Sequence, residues 1–330
     1  MAKTADSMNR EGMVQESVNM YTRVIALNCD SIQLALNNRG SLYNAMEEYD
    51  SAFSDLARAY KMDTTSSSVL ANLGVVYSHL KKYDTALALL NKAIYYDPAA
   101  SQYYKLRADI RTDFHDYAGA EKDYKKGIEL NKHNIEAQEG LIVLYKVIVS
   151  QKRDEDDAFD SAVNNVLEAY ANAIADNPDH PYIRVERGYF YYKHGRSDKA
   201  IEDYDWYLKL TPGSYRTFVD RGLAYEEMDK EDLAMKDFTA SIAVHENYLA
   251  YYNRARLYHK WYKNIKQAIK DNLKCIELNP DYATAYLNLG NCYFDLKQYD
   301  KAKEIYEKGL TKNPNRDTKS KIEFQLEQLQ

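Results

Sequence analysis

The side chains that usually carry enzymatic chemistry are not arranged in a catalytic pattern. The seven histidines are dispersed, and no two stand at helical metal-ligand spacing beside a glutamate. The three cysteines, Cys29, Cys275 and Cys292, are too scattered for a disulfide framework or a zinc site and are interpreted as small core residues. The sequence contains no glycine-rich phosphate loop and no strand-turn-helix context for a nucleophilic serine. We therefore expect no metal, no cofactor and no enzymatic activity.

Charged residues are interspersed along the whole chain. The 44 basic and 50 acidic residues give a net charge of −6, with no basic stripe that would neutralise a phosphate backbone. The acidic run at residues 154–157 is predicted to be a solvated loop. No segment approaches the roughly 20 apolar residues that span a bilayer. Neither a nucleic-acid partner nor a membrane span is expected in this chain.

Arginine and aspartate recur in a fixed relation, which predicts bidentate ion pairs. The five pairs are Arg39 with Asp55, Arg107 with Asp123, Arg187 with Asp203, Arg221 with Asp237 and Arg254 with Asp271. At three corresponding places both members are apolar, as Leu73 with Leu89, Leu141 with Ala169 and Leu289 with Ile305. Because both members change together, we predict that each pair is in contact. A structural role is favoured over ligand binding, since apolar pairs replace them within the same chain.

The elements that position these pairs belong to a repeat of 34 residues. Pro178 and Pro212 are 34 residues apart, as are Gly40 and Gly74. When this glycine is the eighth residue of a unit, an alanine recurs at the twentieth position, at Ala52, Ala86, Ala120, Ala200, Ala234, Ala268 and Ala302. The small residues indicate close approach of neighbouring elements.

Apolar residues within each unit predict two amphipathic helices. Leu70, Leu73 and Tyr77, for example, follow the spacing of three and four residues that places side chains on one helical face. Proline suits the unit boundary, because it ends one helix and presets the first turn of the next. Two helices are too small to bury their own apolar faces, so neighbouring units must stack. An all-α chain is predicted.

The motif LGVVY at residues 73–77, followed by Ala86, Ala93 and Pro98, resembles the tetratricopeptide repeat family. The resemblance extends over almost the whole chain. It implies a right-handed superhelical α-solenoid of tetratricopeptide-type helix pairs, in which the first helix of each pair lines a concave groove.

The units divide the chain into three parts. We expect a truncated N-terminal repeat at residues 1–32, eight repeats at 33–316 and a C-terminal capping helix at 317–330. The fourth repeat carries extra residues near 146–158, and the register shifts by one near Leu249. Both insertions are predicted where two helices join, which is the place that tolerates them.

The ends of the sequence carry two further expectations. The first residues resemble the later part of a unit, which places Met1 inside a first helix, so we expect residues upstream of it to have been removed. The sequence leaves the compartment unknown. We expect a soluble protein, located in the cytoplasm or, if an export signal preceded this start, in the periplasm or outside the cell. Thr318 is expected to cap a last helix that runs through Gln330.

In the family that this sequence resembles, partner peptides lie across positions 2, 5, 9 and 12 of the first helices. In the first four repeats these positions are mostly small or polar. In the last four, residues 181–294, they are rich in the aromatic and arginine side chains that supply most interface energy. The candidate groove residues are Tyr182, Val185, Tyr189, Tyr192, Arg216, Val219, Leu223, Glu226, Tyr252, Arg256, His259, Asn288, Asn291 and Phe294.

These features favour an interaction scaffold or adaptor that binds a peptide or protein segment in the groove. The alternative is a structural assembly component, such as a cell-envelope or secretion element, that forms homo-oligomers through the solenoid. A minor alternative is a co-chaperone that binds chaperone tails. Against it, Asn72 matches the middle asparagine of the family's carboxylate clamp, but Gln102 and Leu106 stand where basic residues are needed.

Overall fold

The computed structural model describes residues 5–27, 31–152 and 157–329, and these ranges contain eighteen α-helices and no strand. The prediction of an all-α solenoid is confirmed. The chain forms two compact units, one ending at Pro178 and the other beginning at Asp179. Within each unit, every helix packs against the helices that precede and follow it. Cys29, one of the three cysteines predicted to lie in the core, is outside the described residues.

The first unit contains nine of the described helices. They are α1 (Ala5–Ala26), α2 (Ile32–Ala45), α3 (Tyr49–Met62), α4 (Ser67–His79), α5 (Tyr83–Tyr96), α6 (Ser101–Asp113), α7 (Tyr117–Leu130), α8 (Ile135–Ser150) and α9 (Asp157–Asp176). From α2 onward the even-numbered helices are the first helices of successive pairs, and contacts also join α2 to α4, α4 to α6 and α6 to α8.

The second unit contains the other nine described helices. They are α10 (Tyr182–Lys193), α11 (Ser197–Leu210), α12 (Tyr215–Glu227), α13 (Glu231–Val244), α14 (Tyr248–Lys260), α15 (Ile265–Leu278), α16 (Ala283–Asp295), α17 (Tyr299–Leu310) and α18 (Arg316–Glu327). The first helices of the four pairs are α10, α12, α14 and α16. Contacts also join α10 to α12 and α14 to α16.

The turn inside most helix pairs has three residues, and its middle residue has a positive φ. These residues are Glu47, Lys81, His115, Gly195, Asp229 and Lys297. The turn between α14 and α15 has one more residue, and there Lys263 has the positive φ, at 52°. The register shift predicted near Leu249 therefore lies in this turn.

The extra residues near 146–158 lengthen two helices. Helices α8 and α9 contain 16 and 20 residues, whereas the other paired helices contain 12 to 14. The acidic run that was predicted to be a loop begins outside the described residues, and its last member, Asp157, begins α9.

Close approach of the two helices in a pair depends on small residues at their contact. All seven repeated alanines have zero exposed surface. On the facing helix, a Cβ built on Gly290 would lie 2.3 Å from Cε1 of the fully buried Tyr306. At Gly74 the nearest atoms to such a Cβ are the backbone oxygen of Ala86 and Cγ of Leu90, both 3.2 Å away.

Gly290→Ala is therefore expected to lower the free energy of unfolding by about 1 to 2 kcal/mol, because the buried Tyr306 ring must move. Gly74→Ala should cost less, since its two contacts at 3.2 Å, with Leu90 and the backbone oxygen of Ala86, need to open by only a few tenths of an ångström. Alanine also favours the helix by about 0.5 to 1 kcal/mol. Urea denaturation of both variants measures the difference. Equal destabilisation would contradict the explanation by ring contact.

The last helix begins earlier than predicted. Asn315 is its N-cap and accepts a hydrogen bond from the backbone N–H of Thr318 at 2.9 Å, so Thr318 is inside the first turn and is not the cap. Its predicted last residue, Gln330, lies outside the described residues. Ile322 is fully buried against the side chains of Leu287 and Tyr306. Thus α18 covers the apolar end of the last repeat.

Candidate protein-binding face

Five arginines on first helices each donate two hydrogen bonds to an aspartate on the second helix of the same repeat. Nε and Nη2 of Arg187 donate to Oδ2 and Oδ1 of Asp203 at 2.8 and 2.7 Å. Arg221 donates to Asp237 in the same way, also at 2.8 and 2.7 Å. The same two bonds, at 2.6 to 3.1 Å, join Arg39 to Asp55, Arg107 to Asp123 and Arg254 to Asp271.

The five aspartates are buried, and the pairs tie together the two helices of one repeat. At the apolar counterpart, Leu73 and Leu89 belong to one hydrophobic cluster. The pairs differ in whether a second cation is close. Nη1 of Arg184 lies 3.7 Å from Oδ1 of Asp203, whereas Arg221 is the only cation within bonding distance of Asp237 among the described residues. This geometry supports a structural role.

The first-helix side chains at the candidate groove positions of the second unit form the surface that we call the first-helix face. Three of them are exposed: Tyr182 and Tyr189 expose 64% and 51% of their surface, and Arg216 is exposed as well. Tyr192 and Val185 are partly buried against the cluster around Tyr204. Large exposed aromatic side chains are the typical anchors of protein interfaces.

Other candidate residues have partners within the chain. Arg256 forms an ion pair with Glu226, and its guanidinium lies 5.8 Å from the centre of the Tyr252 ring. Nε2 of His259 lies 2.7 Å from Oδ2 of Asp295. Additional contacts join Asn291 to the hydroxyl of Tyr306 at 2.7 Å and the Phe294 ring to Tyr299 at 5.4 Å between centres.

Three candidate residues contribute to packing. Val219 and Asn288 are buried, and Leu223 is partly buried against the cluster around Phe238. Asn288 donates to Oδ1 of Asn272 at 3.2 Å. The structure therefore places the exposed aromatic and cationic groups of the face on α10 and α12.

Two residues of this region were not among the sequence candidates, Tyr204 on α11 and Asp220 on α12. Tyr204 is fully buried, and its hydroxyl has no hydrogen-bond partner in the described part of the chain. Burial, followed by the charge of Asp220, raises the pKa of Tyr204. Burial also raises the pKa of Asp220 to about 6, against the opposing charge of Arg216.

Comparison of repeats explains the missing partner of Tyr204. The tyrosine at the same repeat position donates to a residue on the first helix in two other repeats: Tyr124 to Asp109 at 2.6 Å and Tyr306 to Asn291 at 2.7 Å. The corresponding first-helix residue opposite Tyr204 is Tyr189, which is not a carboxylate or amide. The sequence alone shows that a tyrosine replaces the hydrogen-bond acceptor at this repeat position.

Groups that support other chemistry are sparse in the described residues. Cys275 and Cys292 are free and buried, and burial raises the pKa of each thiol to about 12. Across residues 5–27, 31–152 and 157–329, no three potential ligands from histidine, cysteine and acidic residues are grouped as a metal site would require. None of the helices in these ranges combines the length and apolar character needed to cross a bilayer.

A stack of helix pairs held by buried ion pairs, with aromatic groups exposed on its first helices, defines a helical repeat protein. Three family models described as tetratricopeptide repeat match residues 43–110, 167–215 and 283–316. The chain belongs to the tetratricopeptide repeat family, as the repeated motif predicted.

Curated relatives match parts of the chain. The human protein Tetratricopeptide repeat protein 6 is 27% identical over 158 residues, which cover 48% of this chain and 30% of that protein. Hsp70-Hsp90 organizing protein 3 of Arabidopsis thaliana is 35% identical over 96 residues, covering 29% of this chain and 17% of that protein. The chain thus spans less than a third of the length of these relatives.

Solved structures share the fold at low sequence identity. The C-terminal part of a TPR repeat-containing protein from Cytophaga hutchinsonii has a TM-score of 0.61 and 16% identity, covering 77% of this chain and 99% of that one. A tetratricopeptide repeat protein from Parabacteroides merdae has a TM-score of 0.52 and 18% identity, covering 80% and 98%. These similarities concern the arrangement of helices alone.

Proposed function

We propose that this protein is a non-catalytic adaptor that binds a segment of another protein on the first-helix face of its second unit. The observation that carries the proposal is the exposure of Tyr182 and Tyr189, large aromatic side chains on one helix of that face. Burying such rings against a partner removes apolar surface from water at little cost in side-chain entropy. The Hsp70-Hsp90 organizing proteins among the relatives, whose names describe the organisation of other proteins, support an adaptor role.

The experiment compares two double variants that remove equivalent rings. Peptides are first selected from a random-sequence display library on the whole protein, and one is labelled for affinity measurement. Tyr182→Ala with Tyr189→Ala should weaken binding about 30-fold or more, as expected for loss of an interface anchor worth about 2 kcal/mol. The matched control is Tyr95→Ala with Tyr96→Ala, because these tyrosines are also exposed but lie on the second helix α5.

Equal affinities of the two double variants would refute the proposed face. Sedimentation of the protein without peptide distinguishes the assembly role. A homo-oligomer that covers this face and excludes the selected peptide would support assembly in place of the adaptor.

Binding of a chaperone tail is a second candidate, favoured by similarity to the organizing proteins. The residues near Asn72 argue against it, because Asn72 donates to Oδ1 of the buried Asn37 at 2.9 Å and Gln102 is uncharged. A carboxylate clamp would bind a peptide with a free terminal carboxylate and lose it on amidation. Our proposal expects amidation of the selected peptide to leave its affinity unchanged.

A further inference from the structure

We propose that the first-helix face binds a lysine or arginine side chain of the partner segment, with the carboxylate of Asp220 as its counter-ion and the Tyr189 ring beside it. The inference rests on the proposed function and deepens it, because it specifies the chemistry of one position in the bound segment. Four observations lead to it: a carboxylate without a cation, a contrasting repeat in which the cation is present, a buried hydroxyl without a partner, and the local balance of charge.

Asp220 lies on α12 and is partly buried, yet no described residue donates a hydrogen bond to it or forms an ion pair with it. The cation whose charge acts on it is Arg216, one turn earlier on the same helix. Nε of Arg216 instead donates to the hydroxyl of Tyr215 at 3.1 Å, and its guanidinium lies 5.7 Å from the centre of that ring. Withdrawing a carboxylate from water without a partner is costly, and a cation would compensate it.

The first unit contains a carboxylate, at another repeat position, that does have its cation. The side chain of Asp109 on α6 is 39% exposed, Nζ of Lys105 lies 3.1 Å from its Oδ2, and the hydroxyl of Tyr124 donates to its Oδ1 at 2.6 Å. Lys105 stands four residues before Asp109, the same interval that separates Arg216 from Asp220. The fold therefore provides a cation for one carboxylate and leaves the other without one.

Tyr204 on the adjacent α11 belongs to the same place. Its side chain is fully buried, its hydroxyl has no partner among the described residues, and it interacts electrostatically with Asp220, Tyr189, Tyr192 and Asp203. Buried polar groups without partners are rare in folded proteins and are typical of functional sites. The hydroxyl, the carboxylate and the exposed Tyr189 ring thus belong to one small region on α10, α11 and α12.

The charge around this region favours a cation over an anion. Arg256 is already paired with Glu226, and Glu227 accepts a hydrogen bond from Ser197. Asp220 has no ion-pair partner, and Arg216, the cation whose charge acts on it, donates a hydrogen bond to Tyr215 instead. The half-exposed Tyr189 ring adds a negative π face, to which a lysine or arginine side chain is attracted within about 6 Å.

The test uses four pools of synthetic peptides of equal length with random residues around one fixed central position. The fixed residue is lysine, arginine, norleucine or glutamate, and the whole protein is used throughout. We expect the wild-type protein to bind the lysine and arginine pools about tenfold more tightly than the norleucine pool. Asp220→Asn should reduce that preference to within about twofold, whereas Asp198→Asn, an equal change of charge at an exposed site on α11, should preserve it.

The outcomes separate the two proposals. Binding of all pools without preference by the wild-type protein would overturn the inference and leave the adaptor role in place. Retention of the preference in Asp220→Asn would also overturn it, because the cation would then bind elsewhere. Failure of every pool to bind would overturn both proposals. Thermal melting of each variant checks that it is folded, and Asp220→Asn should melt no lower than the wild-type protein.

Discussion

Arg221→Leu is expected to lower the free energy of unfolding by about 3 to 5 kcal/mol, the largest stability loss predicted for a single substitution in this chain. The variant leaves Asp237, whose side chain is 7% exposed, without its only nearby cation among the described residues. Burial already raises the pKa of Asp237, and Arg221 opposes that rise through two hydrogen bonds and its charge. Its removal leaves a charged, buried carboxylate that must lose its charge or disrupt the repeat.

Substituting Asp237 together with Arg221 tests this explanation. Asp237→Leu combined with Arg221→Leu should recover most of the loss, because Leu73 and Leu89 show that a repeat accommodates an apolar pair at these positions. Asp205, the other carboxylate that Arg221 binds, keeps a side chain 43% exposed and is solvated once freed. Arg187→Leu should cost less than Arg221→Leu, since Arg184 lies near enough to Asp203 to replace part of the lost charge.

A double-mutant cycle measured by urea denaturation provides the coupling energy. Added together, the losses in free energy of unfolding of Arg221→Leu and Asp237→Leu should exceed the loss of the double variant by several kcal/mol. Additive losses would mean that the two side chains stabilise the repeat separately. Acid offers a second check: as pH falls and Asp237 becomes protonated, the difference between Arg221→Leu and the wild-type protein should shrink.

Much of the fold follows from the sequence because the repeat supplies its own internal comparison. Each helix pair must bury its apolar faces against neighbours, so the 34-residue spacing alone predicts stacked helices. Another repeat has Leu73 and Leu89 at the positions of Arg221 and Asp237, and this joint replacement predicted that the two residues are in contact. In the structure, Arg221 donates two hydrogen bonds to Asp237 at 2.8 and 2.7 Å. A contact shared by many repeats leaves a sequence signal.

Features that occur once are harder to predict, for the same reason. The helix extension at α8 and α9 has no counterpart in the other described helix pairs, and Asp157, which was interpreted as part of a loop, begins α9. Asn315 caps α18 in place of Thr318, a difference of three residues at a helix end, where local hydrogen bonding decides the boundary. Asp220 was missed because its distinction is the absence of a partner, and the partner of a side chain is visible only when the helices are assembled.

Asp220→Asn is expected to stabilise the protein by about 2 kcal/mol near neutral pH. The pKa of Asp220 is raised to about 6 by burial, so the folded protein disfavours the charged carboxylate that exists at pH 7. A change from the ordinary value of 3.8 to about 6 corresponds to about 3 kcal/mol, and residual contact with water reduces the effect. Asparagine has nearly the same shape and no charge to bury.

The sign of the pH dependence identifies this cause. A carboxyl group whose folded-state pKa is raised binds its proton more tightly when folded, so the wild-type protein loses stability as pH rises from about 4 to about 6. The charge that acts on Asp220 is that of Arg216 on its own helix, and Asp220 in turn acts on Tyr204 of the adjacent α11, whose pKa is raised. Asp220→Asn should therefore melt higher than wild type above about pH 6 and equally below about pH 4.

Stability and binding should thus change in opposite directions at one residue. A carboxylate retained only for packing would make the wild-type protein at least as stable as Asp220→Asn, and that result in melting experiments near pH 7 would remove the argument for a binding role. If the asparagine variant is more stable and has also lost the preference for basic peptides, the cost of burying Asp220 is explained by what it binds, since functional sites commonly retain groups that destabilise the free protein.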